Sequence, residues 1–267
     1  LIDEAVERGM DIAFDALPYH WGNSLVNTIF PGWFLKDFDR NFNDPKAVKK
    51  LKREVKWTER IVGRSFEDIS LLWADSDELV PYFGLSFHEI AVKRNISDVD
   101  ACLWIAKESR GTAKILTASY SGKEGGYEEP LFAVVSHPRC SFELDTAITT
   151  AEGPQNPASY GGFPRILGRF CRELNLFPLE DAIRRMSSFS ASRIGLENVG
   201  VISEGYNADI VVFDEHSIAD NTSLANPSVP PSGIKNVLIG GSVVVDNGKC
   251  VSKEKNGRVF RKKGRAH

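Results

Sequence analysis

Hydrophobic and polar positions along the chain divide it into three stretches with different rhythms. Leu1, Ile2, Ala5 and Val6 mark one face of a helix that Gly9 stops, and DIAFDAL then reads as a buried strand. Helix, glycine, apolar strand is the rhythm of a parallel α/β architecture, which places Pro18, Tyr19 and His20 at a strand-end rim where chemistry is usually found. From about residue 30 to 110 that rhythm is lost. An aromatic turn (Pro31 to Phe34) is followed by a charged helix over 44–55 and a strand, DISLLWA, over 68–74. Helices are expected over 86–93 and 97–108, the second capped by Ser97 with Val99, Cys102, Leu103 and Ala106 as its buried stripe.

The third stretch begins with two strand-like runs, AKILTAS (113–119) and LFAVVSH (131–137), the latter leading through Pro138 and Phe142 to Asp145. Three helices should follow, starting near Pro164, at Pro178 and near Ala191. From Gly200 the pattern turns all-β: VIS, ADIVVF, and the runs IKNVLIG and SVVVDNG, joined as a hairpin across Gly240 and Gly241.

Composition narrows the function classes. The 267 residues, 42% hydrophobic and 26% charged, suit one large domain or one and a half smaller ones. With 33 Lys plus Arg against 36 Asp plus Glu, a net charge of -3 gives no reason to expect nucleic acid or an anionic membrane as partner. The basic run Arg258 to Arg265 reads as a solvated terminus. No apolar stretch reaches the ~20 residues of a membrane span, and a cytoplasmic protein is expected. Cys102, Cys140, Cys171 and Cys250 are far apart and form no C-x-x-C pair, so they are expected to be core thiols. The absence of an initiator Met and an opening inside a helical pattern hint at an upstream region.

The five histidines, His20, His88, His137, His216 and His267, contain no H-x-H, no H-x3-H and no helical i, i+4 pair, so none is expected to be a metal ligand. His137 draws most attention among them, because it ends a strand-like run.

Three segments in order, FDALPYHWGNS (14–24), SYGGFPRILGRFCRELNLFPLEDAIRRMSSFSASRIGL (159–196) and GVISEGYNADIVVFD (200–214), resemble the C-terminal portion of the N-acyl-D-amino-acid deacylases, of the amidohydrolase superfamily. YGGFPRILGRF is the most specific, being similar to that family's Y-G-T-F-P-R-x-L-G pattern; GYNADIVVFD is shared more widely, with dihydroorotase-like and allantoinase-like enzymes. GLSFHEIAVKRNISDVDACLWI (84–105) also resembles the deacylases' insertion, so the likeness spans nearly the whole chain.

The resemblance implies the last strands and helices of a (β/α)8 TIM-type barrel over residues 1–198, with an inserted helical subdomain at about 30–110, and a β-sandwich portion with a basic tail over 199–267. It implies a small-molecule amide as substrate and zinc as the cofactor of the complete enzyme. A zinc-bound water, with a pKa near ~7, supplies the nucleophile, and a strand-end Asp moves its proton to the leaving amine. On this reading Asp145 is the catalytic carboxylate and a possible metal contact, and Tyr19 of LPYHW is the substrate-binding residue. Each also has a plainer alternative: a loop-stabilising Asp and a half-buried rim Tyr.

The departures are specific. Leu144 and Thr146 stand where the deacylases have the Ser and Gly around their Asp. Asn156, Pro157 and Ala158 replace H-P-R, which removes the guanidinium that would grip a substrate carboxylate unless Arg139 or Arg165 supplies it. The family's remaining ligands would all precede Leu1, so this chain alone is expected neither to bind zinc tightly nor to turn over substrate. A non-catalytic pseudoenzyme, a chain completed by a separate N-terminal polypeptide or by a homo-oligomer, and a cyclic-amide hydrolase stay open as alternatives.

Overall fold

The computed structural model describes residues 1–62, 65–118, 128–146, 156–223 and 226–260. The chain forms two compact units. One contains residues 1–19, 129–148 and 157–267; the other contains 20–128 and 149–156. The loop between the two strand-like runs, the polar loop before residue 156 and the end of the basic tail lie outside the described residues.

In the first unit, α1 (Ile2–Glu7) ends at Gly9, whose φ of 82° closes the helix, and leads to β1 (Phe14–Ala16). β1 pairs in parallel with β5 (Cys140–Phe142), in the register Phe14↔Cys140, Asp15↔Ser141 and Ala16↔Phe142. Before β5 comes a helix, α7 (Glu129–Val135), where a strand over 131–137 was expected. The reason is local. Glu129 and Pro130 suit a helical first turn, because proline needs no N–H there and an acid faces the positive end of the dipole. Those two residues outweigh the apolar run that follows.

After β5, α8 (Ala158–Arg165) begins a turn earlier than Pro164 suggested and carries that proline inside it. Proline offers no N–H to the preceding turn, and from Ile166 to Glu173 the helix continues with π-type turns. α9 (Leu179–Arg184) and α10 (Ser190–Ile194) follow as expected, the latter closed by Gly195 at φ 75°. Ile166, Phe170, Ala182, Val135 and Phe142 form this unit's core together with Ile218.

The all-β part is a four-stranded antiparallel meander: β6 (Ile210–Phe213), β7 (Ile234–Ile239), β8 (Ser242–Asp246) and β9 (Lys249–Cys250). Gly240 and Gly241, at φ 56° and 82°, make the β7–β8 hairpin turn. VIS at 201–203 is not a strand. Arg258 is tied by its guanidinium to the Asn207 side chain.

The second unit surrounds a three-stranded antiparallel sheet in the order β2 (Trp21–Leu25), β4 (Lys114–Ala118), β3 (Ile69–Trp73). Its helices are α2 (Gly32–Leu35), α3 (Phe38–Asn43), α4 (Pro45–Val62), α5 (Phe87–Arg94) and α6 (Asp98–Glu108). α5 starts with a reciprocal capping box between Ser86 and Glu89, and Ser97 caps α6 as its sequence indicated. Phe34, Leu51, Leu71, Phe87, Ile90, Ile105 and Ile115 build an independent core.

Candidate functional site

Parallel pairing gives β1 and β5 the same direction, so the residues that follow both strands emerge at one end. Glu143 N–H donates to the Ala16 carbonyl at 3.2 Å and extends the pairing one residue past β5. Leu144 and Asp145 come next. Asp145 is exposed and takes a left-handed φ of 42°, which Asp tolerates better than most residues. The left-handed step therefore falls on Asp145 itself, and the β-branched Thr146, where the resembled motif has glycine, is not at positive φ.

Glu143 feels the charge of Asp145. Burial raises its carboxyl above the ordinary glutamate range, and the charges of Asp145 and Asp15 push the same way, while the Asp145 N–H donates to it and opposes them. Glu143 and Asp145 thus follow the C-terminal end of β5, with Asp15 of β1 close enough to act on Glu143.

The two glycines of YGGFPR seat the segments on either side. A Cβ at Gly162 would run into the Leu144 side chain, so the leucine preceding Asp145 rests directly on α8. A Cβ at Gly161 would overlap the Asp220 carboxylate and stand 2.7 Å from the Tyr19 hydroxyl. Adjacent residues of one helix therefore support the segment after β5 and the segment after β1.

Tyr19 is buried, with 4% of its surface exposed, and its hydroxyl donates to Asp220 Oδ2 at 2.7 Å. The Thr222 N–H and hydroxyl donate to Asp220 Oδ1 at 2.8 and 2.7 Å. Arg165 Nε donates to the Pro18 carbonyl at 3.1 Å, Nη1 lies 3.7 Å from Asp220 Oδ2, and the guanidinium stands 4.8 Å from the centre of the Tyr19 ring. Burial first, and then the bond to Asp220, hold the Tyr19 phenol well above its ordinary range. Sequence reasoning singled out Tyr19 and Arg165 but missed Asp220. It lies in a polar loop some 200 residues from Tyr19, and no local pattern signals the contact.

The two arginines weighed against the missing guanidinium separate clearly. Arg139 precedes β5 at the opposite strand end: its carbonyl accepts from Phe14 N–H, and its side chain reaches the Ile12 carbonyl and Asp11. Arg165 belongs to the end that carries Pro18 and Tyr19. Ala158 is a buried first residue of α8 and brings no charge. His137 also lies at the Arg139 end, its Nδ1 accepting from Arg139 N–H and its Nε2 facing Asp3 at 3.0 Å. His88 pairs with Asp98 at 3.1 Å, and His20 lies 4.0 Å from Glu128 within the second unit. His216 is exposed beside Glu215, and His267 lies outside the described residues.

Among the described residues no group of three or more His, Cys, Asp or Glu side chains could hold a metal ion. The donor set that zinc chemistry requires is therefore not provided by these residues. A cavity of about 760 Å³ opens between α8 and the β6–β7 part of the first unit, but Phe163, Leu167, Ile183, Met186 and Val211 make its wall mainly apolar. No helix of the described residues is long and apolar enough to cross a membrane.

Glu143 and Asp145, just past the C-terminal end of β5, stand where parallel α/β folds usually carry their sites. Residues 141–245 match the amidohydrolase family. A D-aminoacylase of Alcaligenes xylosoxydans xylosoxydans is 42% identical over 89 residues, covering 33% of this chain and 18% of that protein. An N-acyl-D-glutamate deacylase of the same organism is 34% identical over 126 residues, 45% of this chain and 25% of that protein. The crystal structure of the N-acyl-D-glutamate deacylase of Bordetella bronchiseptica, complexed with zinc and a phosphonate inhibitor, shares the fold. It superposes with a TM-score of 0.65 at 24% identity, over 91% of this chain and 41% of that one. The chain spans less than half the length of these relatives.

Proposed function

We propose that this chain supplies the acid–base carboxylate, Asp145, of a metal-dependent hydrolase that cleaves a linear amide such as an N-acyl amino acid. The observation that carries the reading is the position of Asp145: exposed, just past the end of a strand paired in parallel with β1, and seated through Leu144 on Gly162. There a carboxylate can take a proton from the attacking water and hand it to the departing amine nitrogen as the C–N bond breaks. Further support comes from the names of the relatives, which are deacylases of N-acyl-D-amino acids.

On this reading β1, β5 and the helices around them are the last part of a (β/α)8 barrel, and the meander is part of a β-sandwich. The described residues do not complete a metal site, and on this reading the donors come from outside residues 1–267, which alone are expected not to turn over substrate. Without a guanidinium at position 158, a substrate carboxylate would have to be met from the Arg165 end of the strands, if the substrate carries one. Tyr19 belongs to that same rim.

A second reading is favoured by one observation. β1 and β5 form only a two-stranded parallel sheet among the described residues, and parallel sheets are ordinarily covered on both faces and extended at both edges. A chain completed by a separate polypeptide or by a second copy accounts for that directly.

The experiment is a hydrolysis assay of N-acetyl-D-amino acids and of a cyclic amide such as dihydroorotate. It is run with the purified chain and zinc, with light scattering on the same sample. Our reading expects no turnover from the chain by itself. Turnover of the cyclic amide would overturn the linear-amide assignment, and a monodisperse compact monomer would count against the need for a partner.

A further inference from the structure

We propose that Asp220 is a positioning residue: delivered from the β6–β7 connection of the C-terminal module, it fixes Tyr19 and with it the rim segment that follows β1. The proposal rests on the reading of that strand end as the site of amide hydrolysis. It deepens that reading by naming what holds the rim in place.

The geometry has few alternatives. Asp220 is held on one oxygen by two bonds from Thr222, at 2.8 and 2.7 Å, which fix the direction of the carboxylate. The other oxygen takes the Tyr19 proton at 2.7 Å. Arg165 completes the arrangement, with Nη1 3.7 Å from Asp220 and Nε on the Pro18 carbonyl at 3.1 Å. Two consecutive residues after β1 are thus gripped by one cluster, Pro18 through its backbone and Tyr19 through its side chain.

Charge-assisted bonds of this kind are among the stronger polar contacts in a protein, and a buried carboxylate needs them to offset desolvation. The cluster also requires an absent side chain, since any Cβ at position 161 would occupy the place of the Asp220 carboxylate. Tyr19, Gly161, Arg165 and Asp220 come from three separate segments and meet at one point.

The arrangement fixes what Tyr19 can do. Its single proton is directed at Asp220, so Tyr19 does not donate to a substrate carboxylate. Its contribution to the rim is the position of its ring and of the Pro18–Tyr19 backbone.

Alkaline titration of tyrosinate absorbance tests this on the full chain, which has six tyrosines. One tyrosine, identified by its loss in Tyr19→Phe, should stay protonated until the protein unfolds. In Asp220→Asn the acceptor is neutral while the Arg165 guanidinium remains, so Tyr19 should ionise at least about one pH unit lower, a tenfold change in its ionisation constant. A role in folding alone would not produce that shift in a folded variant. Tyr19 ionising alongside the exposed tyrosines in the wild type, or unchanged in folded Asp220→Asn, would overturn the proposal.

Should Asp220→Asn not fold, exchange of the Tyr19 hydroxyl proton in the wild type, followed by NMR, decides the matter. Slow exchange supports the bond and fast exchange refutes it. Neither measurement involves turnover, so a chain that fails to hydrolyse amides leaves this test unaffected.

Discussion

Gly161 lies so close to Asp220 that a side chain at one position excludes the carboxylate at the other. Gly161→Ala must push Asp220 away from Thr222 and Tyr19 or displace α8. Overpacking of this kind ordinarily costs about 1–3 kcal/mol, and here a buried hydrogen-bonded carboxylate would be disturbed as well. Urea unfolding should show a loss in the upper part of that range or beyond it. An unchanged midpoint would mean that α8 and Asp220 are not in contact.

Glu143 gives a pH dependence with a definite sign. Its native carboxyl is raised, chiefly by burial and further by Asp145 and Asp15, while in the unfolded chain it returns to about 4.3. The folded state therefore binds this proton more tightly. The stability so gained is fully present below the unfolded value and is lost as pH rises through the native one. Glu143→Gln should lack this step, so the stability difference between variant and wild type should move in the variant's favour from about pH 4 towards neutrality.

Arg185 is fully buried and holds the α7–β5 connection together. Its Nη1 donates to the carbonyls of Val135 at 2.6 Å and of His137 and Cys140 at 3.3 Å, and Nε faces Asp181 at 3.0 Å. The guanidinium also stacks on Phe177 and Phe142, with 3.9 and 4.7 Å to the ring centres. Arg185→Leu keeps some apolar volume but strands those buried carbonyls, while Asp181, partly exposed, keeps its bonds from Arg184. A buried acceptor left without its donor costs about 1–3 kcal/mol, and chemical denaturation should report a loss of at least that order.

The thiols should divide three to one. Cys102, Cys140 and Cys171 are buried, and burial pushes Cys140 up to about 12 and Cys171 up to about 11. Cys250 is exposed on β9, which corrects the expectation that all four are core thiols. A disulfide reagent at pH 8 should modify one thiol rapidly and the other three only after denaturant is added.

Much of the fold could be read from local patterns. Ser97 with its apolar stripe, the helix expected over 86–93, the strand expected over 68–74 and the Gly240–Gly241 hairpin depend on neighbours in sequence, and the structure has each of them, the strand at Ile69–Trp73. LFAVVSH failed because apolar runs of that length do not distinguish strand from helix, and Glu129–Pro130 decided the matter. The site was legible only in part. Asp145 and Tyr19 came from motif likeness, but Asp220 joins Tyr19 across some 200 residues, and such long-range pairing leaves no periodic trace. The seat of Leu144 on Gly162 was equally hidden, although both are positions where the chain departs from the resembled motifs.

Zinc titration of the purified chain by calorimetry, with hydrolysis of N-acetyl-D-amino acids followed in the same sample, tests the central claim most directly. The proposal under test is that Asp145 serves a metal-dependent amide hydrolase whose metal donors come from outside residues 1–267. It predicts no stoichiometric tight zinc binding and no turnover by residues 1–267. One tightly bound zinc per chain, with amide hydrolysis that Asp145→Ala abolishes, would contradict it.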